Sequence, residues 1–136
     1  MEVHYMSKST DWATPLHVFN PLHEEFNFTL DPCATKESAK CDKFYTKEED
    51  GLSKSWDNER VFMNPPYGRE IKHWVKKAYE AKALVVGLLP ARTDTRWFHE
   101  HIYNIAEIRF IKGRINFING LKPQPAPFPS MIVIFN

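Results

Sequence analysis

The apolar run Val61-Phe62-Met63 stops abruptly at Asn64-Pro65-Pro66-Tyr67-Gly68, and no other stretch restricts this chain as strongly. Neither proline has a backbone N–H and each fixes its own φ, so a strand cannot pass through the pair. Pro65 also drives Asn64 toward an extended backbone, and Pro66 does the same to Pro65. The stretch therefore predicts a buried strand over 61–63 that ends in a stiff turn. That turn displays a carboxamide, free carbonyl oxygens and an aromatic ring.

Such an inventory suits one chemical task. The exocyclic amine of adenine is a poor nucleophile, because its lone pair is delocalised into the ring. Two acceptors on its N–H bonds orient it and favour the charge that develops as it attacks a methyl donor. The side-chain oxygen of Asn64 and the carbonyl of Pro65 are the candidates, and Tyr67 offers a face for a flat base. The alternative is a strand-ending turn with an incidental Asn and Tyr, so the rest of the chain has to decide.

At 136 residues the chain is long enough to bury a core without metals or disulfides. We expect a loose arm over 1–10 and one domain over 11–136. The formal net charge of +1 lacks the basic signature of many nucleic-acid binders, so a DNA substrate would require locally placed positive charge or self-association. Cys33 and Cys41 do not make a disulfide framework, and with the scattered histidines they lack zinc-site spacing, so no metal is expected. No apolar run reaches membrane-spanning length, and a cytosolic location is the default.

Thr14-Pro15 reads as a helix entry, with Thr14 as N-cap and Pro15 at the first helical position. Leu16, Phe19, Leu22 and Phe26 continue it, with Pro21 as a break or kink. Trp12 is a hydrophobic staple or one wall of a ligand pocket. A short strand over 28–31 delivers Asp31 to a strand's carboxyl end, where ligands bind in open α/β sheets. There Asp31 would hold a cationic group or a ribose hydroxyl, or simply cap the turn. Residues 36–43 read as helix or loop, and Phe44-Tyr45 as a very short strand.

Ile71, Trp74, Val75, Ala78 and Ala81 predict an amphipathic helix over 70–82, whose lysines face solvent or phosphates. Residues 83–89 form the strongest strand, and its unbroken apolar character suggests burial on both faces, as in a parallel sheet. A polar loop with Arg92, a helix over 96–105 and short strands over 107–111 and 114–117 follow. Residues 120–129 are proline-rich with almost no pattern, and 130–135 close the sheet. Alternation of strand and helix is the order of a parallel α/β sheet. It places Asp31, Asn64 and Arg92 on one edge.

Taken together, Trp12-Ala13-Thr14-Pro15, Leu30-Asp31-Pro32-Cys33-Ala34, Asp50-Gly51-Leu52 with Trp56, Asn64-Pro65-Pro66-Tyr67, Leu89-Pro90-Ala91-Arg92-Thr93-Asp94, Gly113-Arg114 and Ala126-Pro127-Phe128-Pro129-Ser130 resemble the phage-type DNA N6-adenine methyltransferases, in that order and over nearly the whole chain. The resemblance implies a single, abbreviated Rossmann-like methyltransferase domain with a mostly parallel sheet and flanking helices. It implies S-adenosylmethionine as methyl donor and a flipped DNA adenine as acceptor, in the cytosol of a bacterial host. Trp12, Thr14 and Pro15 would pack beside the methionine moiety, and Asp31, Pro32, Cys33 and Ala34 would match the donor-binding strand end. Asp50 and Leu52 would lie near the donor's adenine, while Asn64, Pro65, Pro66 and Tyr67 would hold the target base. Arg92 and Arg114 would meet DNA phosphate or form ion pairs within the loops.

The broader methyltransferase pattern has a Gly-x-Gly after the first strand, where this chain has Ala34-Thr35-Lys36-Glu37. No separate target-recognition domain is evident, so base selection falls to loops such as 120–129 or to a second subunit. Two other readings stand beside this one: the same chemistry on RNA or a protein glutamine, and a methyltransferase-like module that binds DNA or a partner without turnover.

Overall fold

The computed structural model describes residues 12–136. The arm expected over 1–10 lies outside them, as does Asp11. The main sheet contains β1 (Arg60–Met63), β2 (Leu84–Pro90), β3 (Glu107–Phe110) and β6 (Ser130–Phe135), in the order β1-β2-β6-β3. A separate antiparallel ribbon pairs β4 (Asn116–Asn119) with β5 (Lys122–Pro125). The helices are α1 (Leu16–Phe26), α2 (Ile71–Glu80) and α3 (Arg96–His101), with a 3-10 turn at Gly51–Ser53.

The mostly parallel sheet expected from the sequence is corrected to a mixed one. Among the strands of the described residues β1 and β2 pair parallel, whereas β6 runs antiparallel to both β2 and β3. The ribbon reverses the chain before β6, which then slots between two strands that share a direction. The continuous apolar character of β2 thus reports its central place between helical layers and says nothing about strand direction.

Side chains alternate across the sheet with period two. Val61, Met63, Val85, Leu89, Met131, Val133 and Phe135 face the layer of α2 and α3, with Trp74, Val75, Trp97 and Phe98. Phe62, Val86, Leu88, Ile132 and Ile134 face α1 and the ribbon, with Phe19, Leu22, Phe28 and Phe117. Phe62 is fully buried, its ring 5.0 Å from that of Phe19 and 5.4 Å from that of Phe28. Burying both faces is what makes β1, β2 and β6 read as unbroken apolar runs.

Several local expectations shift. Helix α1 continues through Pro21, because Phe19 and Leu22 anchor it from both sides of the proline. The strand expected over 28–31 is reduced to single parallel bridges, Leu30 with Val61 and Asp31 with Phe44. Of the two readings for residues 36–43, loop is the one observed, as turns and bends, and α3 ends at His101. The strand expected over 114–117 lies at Asn116–Asn119, and the patternless segment 120–129 contains β5. Even so, the carboxyl ends of β1 and β2 share one edge with the amino end of β6, and the stretch at Asp31 runs parallel beside β1.

Candidate active site

Asn64 leaves β1 at this edge, and its carboxamide is tied on both sides. Nδ2 donates to the carbonyl of Trp12 at 2.8 Å and to the hydroxyl of Thr14 at 3.0 Å. A carbonyl oxygen can only accept, so it requires the amide nitrogen on that side and turns Oδ1 the other way. On that other side the Tyr67 hydroxyl lies 3.2 Å from Oδ1 and 3.0 Å from the carbonyl of Leu88. One hydroxyl proton serves one of these acceptors at a time, so Oδ1 keeps a lone pair for a further donor.

Thr14 is not the helix cap expected from the sequence. Pro15 takes that position, with extended backbone and no side-chain cap bond, and its carbonyl accepts from Val18 and Phe19. The Thr14 hydroxyl is thereby released to Asn64, in a residue only 3% exposed. The segment is also pinned from outside, since Ala13 exchanges two backbone hydrogen bonds of 3.0 Å with Ile118 of β4.

Burial holds the Tyr67 hydroxyl well above the usual phenol range, so it stays a hydrogen-bond donor and never a base. Its ring meets those of Phe128 and Phe117 nearly perpendicular, at 5.2 and 6.3 Å. Trp12 stacks on Phe128 at 6.4 Å and tilts against Phe117 at 5.5 Å. The Arg92 guanidinium lies 5.9 Å from the Phe128 ring centre, in the range of a cation–π contact. Four aromatic rings therefore gather beside the carboxamide.

The other expected residues arrive from two loops. The Cys33 thiol is held well above its ordinary range, chiefly by burial and secondly by Asp31, against the pull of the Asn64 backbone N–H. It stays a neutral thiol, so covalent catalysis by Cys33 has no support here. Asp31 is buried and accepts from the backbone N–H of Lys40 at 3.0 Å and, more loosely, of Cys33 at 3.4 Å. Burial raises its carboxyl to about 6 even so. The carboxylate closes the loop after the strand, which is how the chain turns there without a Gly-x-Gly. The close backbone approach that glycine permits occurs instead at Gly51, where a Cβ would fall 2.0 Å from the carbonyl oxygen of Pro32. That approach sets the Asp50-Gly51-Leu52 turn against the Asp31–Ala34 loop.

The structure thus brings together Trp12, Thr14, Cys33, Asn64 and Tyr67 directly, and Asp31, Pro32 and Leu52 around them. Pro15 serves as the cap of α1, Pro65 and Pro66 hold the turn, and Ala34 donates its N–H to the carbonyl of Tyr45. The side chain of Asp50 is exposed, and Arg114 is exposed at the foot of the ribbon, with no hydrogen bond to the carboxamide network. Neither Arg92 nor Arg114 forms a salt bridge among the described residues. Sequence reasoning left Phe117, Phe128 and the Leu88 carbonyl out of the site. Phe128 had a signal in its Pro-Phe-Pro setting, whereas Phe117 reads as an ordinary strand residue. Trp12 Nε1 and Ser130 Oγ are buried at this edge without a hydrogen-bond partner among the described residues.

A family model described as DNA N-6-adenine-methyltransferase (Dam) matches residues 4–136. The DNA N-6-adenine-methyltransferase of Haemophilus phage HP1 (strain HP1c1) is 36% identical over 134 residues, covering 91% of this chain and 77% of its own length. A protein of the same description from Escherichia phage T1 is 36% identical over 129 residues, covering 80% of this chain and 54% of its own length, so this chain spans about half of that relative. A solved structure from Pyrococcus horikoshii, described as a candidate RNA methyltransferase, overlaps 70% of this chain and 50% of that one at 19% identity and a TM-score of 0.49, too loosely to bear on the site. With the family model matching all but the first residues and the HP1 relative matching nearly the whole chain, this protein belongs to the DNA N-6-adenine-methyltransferase (Dam) family.

Proposed function

We propose that Asn64, Pro65, Pro66 and Tyr67 hold a flipped-out DNA adenine while a methyl group passes to N6 from S-adenosylmethionine, in a Rossmann-like methyltransferase domain acting in the cytoplasm of a phage host. The observation that carries this reading is the doubly anchored carboxamide of Asn64. With both Nδ2 hydrogens taken by Trp12 and Thr14, Oδ1 is fixed as an acceptor before any base arrives. Preorganised acceptors need no rearrangement as charge develops, which is the largest electrostatic advantage a site can offer. The Pro65 carbonyl, which accepts no backbone hydrogen bond among the described residues, is the second acceptor for the amine.

Extruding the base costs roughly a few kcal/mol, and stacking on the rings of Tyr67 and Phe128 offsets part of it. With its hydroxyl turned inward, Tyr67 has only its ring left to present. The residues at the neighbouring loops fit the methyl donor. Trp12 Nε1, a buried donor without an acceptor, matches the carboxylate of its methionine end. The Pro32–Ala34 turn and the Gly51–Leu52 turn, locked together at Gly51, form the wall for the remainder. The donor, when bound, supplies a methyl group on a sulfonium, the sulfur departing as a neutral thioether, and N6 gives up one of its two protons to water to end as a neutral methylamine.

The test is transfer of labelled methyl to unmethylated plasmid or phage DNA, followed by nucleoside analysis, with wild type and Asn64→Ala. Label in N6-methyladenine with wild type, and none with the variant while donor affinity is retained, is the expected result. Parallel loss of transfer and donor binding in a folded Asn64→Ala would overturn the role assigned to Asn64. Donor binding without label in DNA would send the reaction to RNA or protein.

A further inference from the structure

We propose that the β4–β5 ribbon is an arm that enters a groove of duplex DNA beside the flipped base, a role that rests on the reading of Asn64 above. The first observation is charge. Residues 108–136 contain Arg109, Lys112, Arg114 and Lys122 and no acidic residue, whereas the rest of the chain carries 14 Lys and Arg against 17 Asp and Glu. Arg109 is engaged by Glu25 and Glu107. Lys112, Arg114 and Lys122 are exposed and have no ion pair among the described residues. This ribbon and its foot therefore supply local positive charge of the kind a nearly neutral DNA-binding protein requires.

The second observation is shape. Strand β5 is exposed along its whole length and Leu121, at the tip, is 100% exposed. Leu121 stands in the turn that follows Asn119, two strand positions and one turn beyond the buried Phe117, or about 7 Å of strand at about 3.4 Å per residue plus the turn itself. A two-stranded ribbon fits the major groove, which is about 12 Å wide. Pro123 and Pro125 alternate along β5. In a paired strand a proline must turn its missing N–H away from the partner, so the outer edge of β5 cannot template another strand. The outer edge of β5 is built to stay unpaired.

The third observation is orientation. The register pairs Phe117 with Gln124 and Asn119 with Lys122, so these four residues share one face. Phe117 on that face is buried against Tyr67 and Trp12. That face presents Gln124 across from Phe117 and, next to the turn, Asn119 and Lys122, whose amides read base edges and whose ammonium meets phosphate. The ribbon is also hydrogen-bonded to Ala13 through Ile118. The backbone it grips is therefore the one that supplies the Trp12 carbonyl and the Thr14 hydroxyl to Asn64.

The experiment uses the full chain and two variants, Arg114→Ala with Lys122→Ala, and separately Leu121→Ser. Binding to an unmethylated duplex and to one of its single strands is measured between 50 and 200 mM salt, beside steady-state transfer and donor affinity. For the double variant, the slope of log affinity against log salt becomes shallower by about 2, one for each phosphate that is no longer neutralised. KM for duplex rises at least tenfold more than kcat falls, and donor affinity is unchanged. For Leu121→Ser, the melting temperature stays within about a degree of wild type, duplex KM rises several-fold and single-strand KM does not. Unchanged salt slope and duplex KM within twofold for both variants overturn the arm. Because the slope comes from binding alone, it tests the arm even if the wild type methylates no adenine, an outcome that would count against the proposed function instead.

Discussion

Replacing Thr14 by valine removes one oxygen from a side chain that is 3% exposed and leaves its shape almost unchanged. One N–H of Asn64 Nδ2 then loses its acceptor at 3.0 Å, while the Trp12 carbonyl at 2.8 Å still forbids the amide from flipping. A broken hydrogen bond together with a stranded buried donor costs about 1–3 kcal/mol. Much of that strain is relieved if the carboxamide rotates away from its fixed setting, which withdraws Oδ1 from the amine. At about 1.4 kcal/mol per factor of ten, kcat should fall roughly ten- to a hundredfold. Thr14→Ser keeps the oxygen and should recover most of the rate. Single-turnover transfer of labelled methyl gives the chemical step, calorimetry gives the donor Kd, and thermal denaturation confirms that the variants fold. A kcat within twofold of wild type combined with a weakened donor Kd would refute the reasoning. Thr14 would then be a donor-binding residue, as the resemblance alone implied, and the hydrogen bond to Asn64 incidental.

Gly51→Ala would place a methyl group 2.0 Å from the Pro32 carbonyl oxygen, so one of the two loops must move. Urea denaturation should show a loss of about 3 kcal/mol or more, and donor affinity should fall with it. Tyr67→Phe keeps the ring but removes the hydroxyl from Leu88 and Asn64. It should lower kcat several-fold and stability by about 1 kcal/mol, whereas Tyr67→Ala should reduce transfer far more; equal effects would remove the ring from the mechanism. Burial raises the Asp31 carboxyl from 3.8 to about 6, so the folded state holds that proton more firmly than the unfolded chain does. Stability from this group is therefore present below about pH 4 and lost as pH rises through 6, by about 3 kcal/mol at about 1.4 kcal/mol per unit. The stability of wild type minus that of Asp31→Asn should fall by most of that amount between pH 4 and 7, and a difference independent of pH would refute the assignment.

The sequence made the site legible where covalent geometry dictates it. Two prolines after an apolar run leave no other outcome than a strand end, and Asn64 and Tyr67 stand there. The apolar faces of α2 and β2 were equally plain, because their spacing reports burial directly. Strand direction was not, since β2 and β6 would be apolar throughout in either orientation, and only the ribbon between Asn116 and Pro125 determines that β6 returns antiparallel. That ribbon was hidden by its own prolines, which argue against a strand unless the outer edge is left unpaired. Thr14 has the spelling of a helix cap, and its bond to Asn64, fifty positions away, leaves no periodic trace. Phe117 and Phe128 meet Tyr67 only after the sheet and ribbon have formed. The absence of a Gly-x-Gly is visible in the sequence, whereas the loop closure by the Asp31 carboxylate and the close approach at Gly51 depend on packing between separate loops.

The place of β6 also governs how the molecule can come to be. Its neighbours β2 and β3 are joined to each other by a short helical connection, yet each must wait for a partner that follows much later in the chain, about forty residues after β2. Pairings over such separations close slowly, because the loop entropy is lost before any pairing compensates it. Until then Leu84–Pro90 presents an uncharged, branched apolar run with one side unpaired, the kind of segment that associates between chains. Acquisition of the active-site edge and protection from aggregation are therefore a single late event, and overproduction at lower temperature or with chaperones should favour active protein over inclusion bodies.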